Sequence, residues 1–485
     1  MTDAVTDAVT DAVTDAVTDA VTAGATTLPA AGAHTGVDPR RLQQLHAREV
    51  ARFVAERPAS RALHEQAAAH LLGGVPMSWM AKWPGPFPVY VDRAQGAHFT
   101  CVDGIDHVDL CLGDTGAMCG HSPEATVRRV REQVGRGITA MLPTADAAVA
   151  AGELTRRFGV PSWQFTLSAT DANRHVIRYA RHVTGRSKVL VVDWCYHGTV
   201  DETFATLDAD GAVVPRRGNI GPPVPPSATT VVVPFNDVPA LAAALAAGDV
   251  ACALLEPVMT NIGIVLPEEG YLQELRRLTR EHGTVLVLDE THTLCAGPGG
   301  CTGAWGLDPD VVVVGKTIGG GVPAGAFGLT AELADRVRRS VELEDVDVGG
   351  IGGTLAGNAL SLAAVATTLT EVLTDAAFEQ MTALAARWAD GVQGVIDATG
   401  APWHVTRLGC RAEYAFAPTP PRDGAEAAAA DDFALQQYLH LHALTRGVQL
   451  TPFHNMALIS PATTAADVDR HTEAFAECAT ELFAG

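Results

Sequence analysis

The chain has 485 residues and a formal charge of −22, with 47% hydrophobic and 19% charged residues. That length exceeds what a single core organises, so two or three lobes are expected. So acidic a surface repels phosphate backbones and anionic lipid, which excludes nucleic acid and membranes as expected partners.

The nine cysteines form no C-x-x-C pair and no His/Cys ligand spacing. They read as reduced thiols of a cytoplasmic protein, with neither a disulfide framework nor a metal site. Apolar runs such as 311–314 are of strand length, far short of the roughly 20 residues a membrane span needs. The N-terminus has no basic segment followed by an apolar one, so no secretory signal is expected.

In chain order, residues 2–21 repeat Thr-Asp-Ala-Val. This has too little apolar bulk to offset ordering entropy, so 1–36 reads as a disordered tail. Asp38-Pro39 is a helix N-cap followed by proline at the first helical position, and Leu42, Leu45, Phe53 and Val54 continue as an apolar stripe. Segment 87–112 alternates around Val102-Asp103-Gly104 and predicts a small β-meander.

From about 115 to 345 short apolar runs alternate with amphipathic helical stretches. The strands expected are Trp163–Leu167, Lys188–Asp193, Thr230–Pro234, Ala251–Glu256, Thr284–Asp289, Val311–Gly315 and Ala326–Thr330. Near-continuous apolar runs separated by helices indicate a mostly parallel, seven-stranded sheet of an α/β protein, covered on both faces. Beyond about 375 the helices lengthen, with 432–446 stopped by Gly447 and 466–483 carrying Val468, Phe475, Cys478 and Leu482 on one side. The expected organisation is a large domain over 116–374 and one smaller α+β lobe assembled from 37–115 and 375–485.

Ligands of open α/β sheets sit beyond the carboxyl ends of the strands. Here one strand runs into Asp289-Glu290, and another into Gly315-Lys316 followed by Gly319-Gly320-Gly321. Burying either the acid or the lysine alone is costly. Pyridoxal 5′-phosphate accounts for both, because it needs an amine to hold its aldehyde and a carboxylate to keep its ring nitrogen protonated. It also needs a phosphate cradle, which Ser168-Ala169-Thr170 would supply at a helix N-terminus. Tyr196-His197-Gly198 offers a flat side chain to stack on the ring. Each feature has a plainer reading by itself: Lys316 as a loop residue, Asp289-Glu290 and Ser168-Ala169-Thr170 as caps, Tyr196 as core. Their shared sheet edge favours the cofactor.

The text matching a known family is extensive: Gly73-Gly74-Val75; VDGIDHVD at 102–109; GHSPE at 120–124; SATDANRHVIRYARHVTGR at 168–186; YHG at 196–198; EPVMTNIGIVLPEEGYL at 256–272; LDET at 288–291; DPDVVVVGKTIGGGVPAGAFG at 308–328; and GTLAGNALSLAA at 353–364. From about 73 to 480 the chain resembles class III aminotransferases of fold type I, and especially their glutamate-1-semialdehyde aminomutase-like branch.

The resemblance implies that Lys316 is the Schiff-base lysine and proton shuttle, and that Asp289 partners the pyridinium nitrogen. It puts Ala169 and Thr170 at the phosphate, Tyr196 and Thr291 on opposite ring faces, and Glu256 and Asn261 near the ring substituents. Thr354 would reach the phosphate of a neighbouring subunit, which implies a homodimer with shared sites. Ala169 and Thr291 replace the family's usual glycine and valine. Met80 stands near the place where the aminomutases carry an arginine for the substrate carboxylate, which argues against glutamate-1-semialdehyde as substrate.

A partly apolar pocket lined by Trp79, Met80 and Trp83 is expected instead. Arg411 is a candidate carboxylate clamp, because arginine forms bidentate pairs; an Arg411–Glu413 ion pair is the alternative. His454 would face the pocket by analogy, although a structural role for it and for His292 is the plainer reading. His440 and His442 point to different helix faces and make no metal pair. The glycines of 297–303 are expected to form a flexible loop. The activity implied is a ping-pong transamination between an amino donor and a carbonyl acceptor. The alternatives are an aminomutase using the same residues on one molecule, and a catalytically silent scaffold.

Overall fold

The computed structural model describes residues 32–340 and 349–483. Its central sheet has the strand order Ser162–Thr166, Gly325–Leu329, Val311–Gly315, Val285–Asp289, Val250–Leu255, Lys188–Val192, Thr230–Val233. Each lies within a residue of the strand expected from the sequence. Val250–Leu255, Val285–Asp289 and Val311–Gly315 are buried at every position. That follows from coverage on both faces and explains runs with no polar alternation.

All neighbours pair in parallel except around Gly325–Leu329, which is antiparallel to both of its partners. Reversing that one strand leaves the other six pointing the same way. The ends of 162–166, 188–192, 285–289 and 311–315 therefore open on one edge. That convergence positions the site.

Helix Ala169–Thr184 follows the first of these strands. The Ser168 hydroxyl accepts from the Asp171 amide at 3.2 Å, capping the helix, and Ala172, Val176 and Tyr179 are buried beneath it. Gly185, at φ 67°, ends the helix in the left-handed conformation that glycine tolerates.

A second, four-stranded sheet is assembled from both ends of the chain. The meander Val91–Gln95, His98–Cys101, Asp106–Asp109 is completed by Val448–Gln449, which runs parallel to its third strand with Val448 opposite Val108. Helix Pro39–Glu56 packs on Phe433–Thr445, with Thr445 Oγ1 donating to the buried Glu49 carboxylate at 2.7 Å. In the first helix Leu42 and Phe53 reach the core, while Leu45 and Val54 are only half-buried at its rim.

Two expectations need correction or restriction. Residues 1–31 of the expected tail lie outside the described residues, but 32–36 are packed: the Gly32 amide donates to Asp432 at 2.7 Å and Thr35 is buried. The 297–303 glycines are not a flexible loop. Glu290 accepts hydrogen bonds from the amides of Cys301 and Thr302 and from the hydroxyls of Thr293 and Thr302, fixing helix Gly300–Trp305. A Cβ on Gly299 would lie 2.3 Å from the Arg157 carbonyl oxygen, so glycine there serves close packing. No single helix among the described residues is long and apolar enough to cross a membrane.

Candidate active site

At the open sheet edge lies a cleft of about 330 Å³, lined by Ser168, Ala169, Thr170, Tyr196, Glu256, Asp289, Thr291, His292 and Lys316 among others. Eight of the residues expected from the sequence to meet there do so. The helix end contributes the amides of Ala169 and Thr170, which have no carbonyl partner within their own helix. Gly198 packs on this end: a Cβ there would sit 2.0 Å from Thr170 Oγ1. The loop carrying Tyr196 thereby closes over the helix N-terminus, and Tyr196 keeps 38% of its surface exposed.

Asp289 is buried, and a buried carboxylate would ordinarily take up a proton. Burial pushes in that direction. Hydrogen bonds from His197 Nδ1 at 2.9 Å, Asn173 Nδ2 at 2.9 Å and the Thr291 amide at 3.1 Å outweigh it and hold Asp289 down at about 2. Burial alone would neutralise His197, but the Asp289 carboxylate keeps it in the charged form. His197 does not line the cleft. It lies behind Asp289, fully buried, so its expected contact with the cofactor is replaced by support of that carboxylate.

Glu256 is also buried, and burial raises its carboxyl to about 7. Its main partner is the Thr260 hydroxyl. Since the folded value lies above the ordinary 4.5, the folded chain favours the neutral acid. Its stabilising contribution is complete below pH 4.5 and is lost as pH rises through about 7. Glu256→Gln, which keeps the neutral shape, is expected to stabilise the cofactor-free protein by about 1–3 kcal/mol at pH 8 and to change little at pH 4. Denaturant unfolding at the two pH values measures this.

Lys316 follows the strand directly, at φ 52°. Its Nζ is 2.8 Å from each of three acceptors: the Asp114 carbonyl oxygen, Asp114 Oδ2 and His292 Nε2. Burial, reinforced by the Lys316 charge, pushes His292 down to about 3, so its ring is neutral. The opposite ring nitrogen, Nδ1, is 3.0 Å from Thr115 Oγ1. Burial works against an ionised Asp114, but Lys316 keeps it well below the usual carboxylate range.

The remaining expected residues lie elsewhere. Asn261 and His454 line a second pocket of about 210 Å³ with Arg216, Glu413 and Asp431. His454 Nδ1 is 3.4 Å from Glu413 Oε1. Met80 and Trp83, with the exposed Trp79, belong to a turn beside that pocket, where Lys82 Nζ lies 5.9 Å from the centre of the Phe453 ring. They do not line the cleft.

Arg411 is fully buried, donating to the Thr260 carbonyl at 2.9 Å and to Glu413 at 3.1 Å. It does not reach the cleft, so the ion pair replaces the clamp. Thr354 is exposed in a turn outside the cleft.

Sequence reasoning missed Asp114 and Asn173 and gave His292 only a structural role. Asn173 had a readable signal, being a polar residue on the apolar face of its helix. Asp114 had none, because it sits in an irregular loop 202 positions from the lysine it meets.

The site fits pyridoxal phosphate on its own terms. An ionised carboxylate and an amine face one cleft, a helix N-terminus ends there, and the buried Thr291 Oγ1 has no hydrogen-bond partner among the described residues. Comparison with known proteins agrees. The class-III aminotransferase family model matches residues 79–478. A glutamate-1-semialdehyde 2,1-aminomutase from Anaeromyxobacter sp. (strain Fw109-5) is 33% identical over 404 residues, covering 81% of this chain and 92% of its own length.

Among solved structures, a glutamate-1-semialdehyde-aminomutase from Pseudomonas aeruginosa PAO1 is 47% identical with a TM-score of 0.90, covering 92% of this chain and 100% of that one. A variant of the same protein has been solved in complex with PMP. An omega-transaminase from Sphaerobacter thermophilus is 28% identical with a TM-score of 0.80, covering 89% of this chain and 100% of its own. With the fold, the cleft and these likenesses in agreement, the chain is a pyridoxal-phosphate-dependent member of the class III aminotransferase family, built on fold type I.

Proposed function

We propose that this enzyme moves a primary amino group between carbons of a single molecule, as an aminomutase. The observation that supports this most is the likeness to named aminomutases over nearly the whole chain, 47% identical in the Pseudomonas aeruginosa structure. It shifts the weight away from the two-substrate transamination expected from the sequence alone. The cleft's charge points to a substrate less anionic than glutamate-1-semialdehyde. Met80 stands near the arginine's place in those enzymes, Arg411 pairs with Glu413 through Nη2 and does not line the cleft, and among the described residues Lys316 is the only lysine or arginine lining the cleft.

Bound pyridoxal phosphate supplies a protonated ring that withdraws electrons from the carbon carrying the amino group. The residues of this chain do the rest. Asp289, braced by His197 and Asn173, keeps the ring nitrogen's proton in place. The Ala169 and Thr170 amides hold the phosphate, while Tyr196 and Thr291 confine the ring from either side. Lys316 Nζ carries the proton that must leave one carbon and arrive at another.

A homodimer completes this reading, with Thr354 reaching the partner's phosphate site. In its support, Met141 and Leu142 are 79% and 73% exposed, and the Ile138 carbonyl just before them accepts from the Ala359 amide just after the Thr354 turn. Apolar surface of this kind marks an interaction site.

An aminotransferase is the second reading, favoured by the likeness to the omega-transaminase and by the missing substrate arginine. Stoichiometry separates the two. The holoenzyme is given single amino-aldehydes, glutamate-1-semialdehyde among them, and separately amino donors with and without an added keto acid; products are counted by mass spectrometry. An aminomutase turns over repeatedly with no acceptor present. A reaction that stops at one equivalent until a keto acid is added overturns the aminomutase reading. No reaction with any amine would favour the silent scaffold.

A further inference from the structure

The surroundings of Lys316 Nζ have a shape the proposed chemistry does not by itself require. A lysine ammonium has three N–H donors and no acceptor. The three atoms around it, Asp114 O, Asp114 Oδ2 and His292 Nε2, each at 2.8 Å, match that number. Since Nζ can only donate, His292 Nε2 must accept, which puts the ring's proton on Nδ1 facing Thr115 Oγ1. Both ends of the histidine are thereby committed.

The loop that delivers Asp114 is also unusual. Leu112, Asp114 and Thr115 all have positive φ, at 44°, 50° and 78°, a conformation disfavoured for residues other than glycine. It is pinned by Asp109 Oδ1, which accepts from the amides of Cys111 and Leu112 at 2.8 Å each, and by the Ala117 amide donating to the Leu112 carbonyl at 2.8 Å. Strain of this kind persists where the surroundings hold it, and it concentrates at working sites. The other carboxylate oxygen, Asp114 Oδ1, is buried and accepts no hydrogen bond from the described residues, so acceptor capacity is left over.

We infer that Asp114 O, Asp114 Oδ2 and His292 Nε2 form an ammonium site that Lys316 fills when free and that receives the substrate's primary ammonium when Lys316 is joined to the cofactor. This rests on the reading of Lys316 as the cofactor-holding lysine, and it names what the enzyme recognises: the three N–H bonds of a primary ammonium. A secondary ammonium offers only two such donors and a quaternary one offers none. A carboxylate on the reacting carbon would meet the Asp114 charge. Asp114 and His292 are positioning residues here, and the Asp114 loop is the part that selects.

The test uses the full chain and ethylammonium as probe, at constant ionic strength, with tetramethylammonium as a control of equal charge and no N–H. Binding is read by ligand-observed NMR and by the thermal midpoint. The cofactor-free wild type should not respond, because Lys316 fills the site. Lys316→Ala should bind ethylammonium saturably and ignore tetramethylammonium, and adding Asp114→Asn should weaken binding by about tenfold or more, the loss of a charge-assisted hydrogen bond.

Wild-type holoenzyme reduced with borohydride, which fixes Lys316 to the cofactor, should bind ethylammonium as Lys316→Ala does; this arm stands even if Lys316→Ala does not fold. Equal response to both cations, no response in the reduced holoenzyme, or binding indifferent to Asp114→Asn overturns the inference. A reduced holoenzyme with no cofactor on Lys316 overturns the cofactor reading instead, and the Lys316→Ala arm still judges the ammonium site.

Discussion

Replacing Lys316 with alanine is expected to abolish covalent cofactor retention and to lower turnover by at least about 10³-fold, since one amine serves as both attachment point and proton carrier. Borohydride reduction and peptide mapping should find the pyridoxyl label at position 316 in the wild type and nowhere in the variant. The fold should survive. Lys316 sits at the mouth of the cleft with 28% of its side chain exposed, so no buried cavity is opened. Its removal leaves Asp114 without its cation, but 26% of the Asp114 side chain remains exposed although its Oδ1 is buried. A label elsewhere in the wild type, or a variant with near-normal turnover, would refute the assignment.

Asp289→Asn is expected to retain cofactor while losing about 10²–10⁴-fold in turnover, the usual scale for removing a fixed charge placed where charge develops. The side chain's shape survives the change, but the negative charge that keeps a ring nitrogen protonated does not. His197 is then left beside a neutral amide and loses the reason for its own charge. Steady-state kinetics with parallel measurement of bound cofactor separates this from simple cofactor loss. If turnover falls only in proportion to lost cofactor, Asp289 is an anchor and not the electrostatic partner. His197→Asn should show a weaker form of the same defect, because it acts through Asp289.

The large sheet was legible because both of its faces are covered, which leaves runs such as Val311–Gly315 with no polar alternation. Lys316 and Asp289 stood out for the same reason, as polar residues where an apolar run stops. Residues on irregular backbone gave no such contrast. Asp114 is carried by a loop whose positive φ angles no spacing announces, and its meeting with Lys316 depends on tertiary packing across 202 positions of sequence. The glycines of 297–303 read as flexibility, whereas they serve close approach to Glu290 and to the Arg157 carbonyl. Arg411 was legible as a paired arginine but not as a buried one, since burial depends on Met456–Leu458 pairing beside its strand.

The strand Val448–Gln449, which completes the four-stranded sheet beside Asp106–Asp109, has a cost during synthesis. Residue 108 leaves the ribosome long before residue 448 exists, and at ordinary elongation rates the delay is tens of seconds. Throughout that interval the third strand of the meander presents an unsatisfied edge to other nascent chains. Yield in a cell should therefore depend on chaperone supply more than the stability of the finished molecule would suggest.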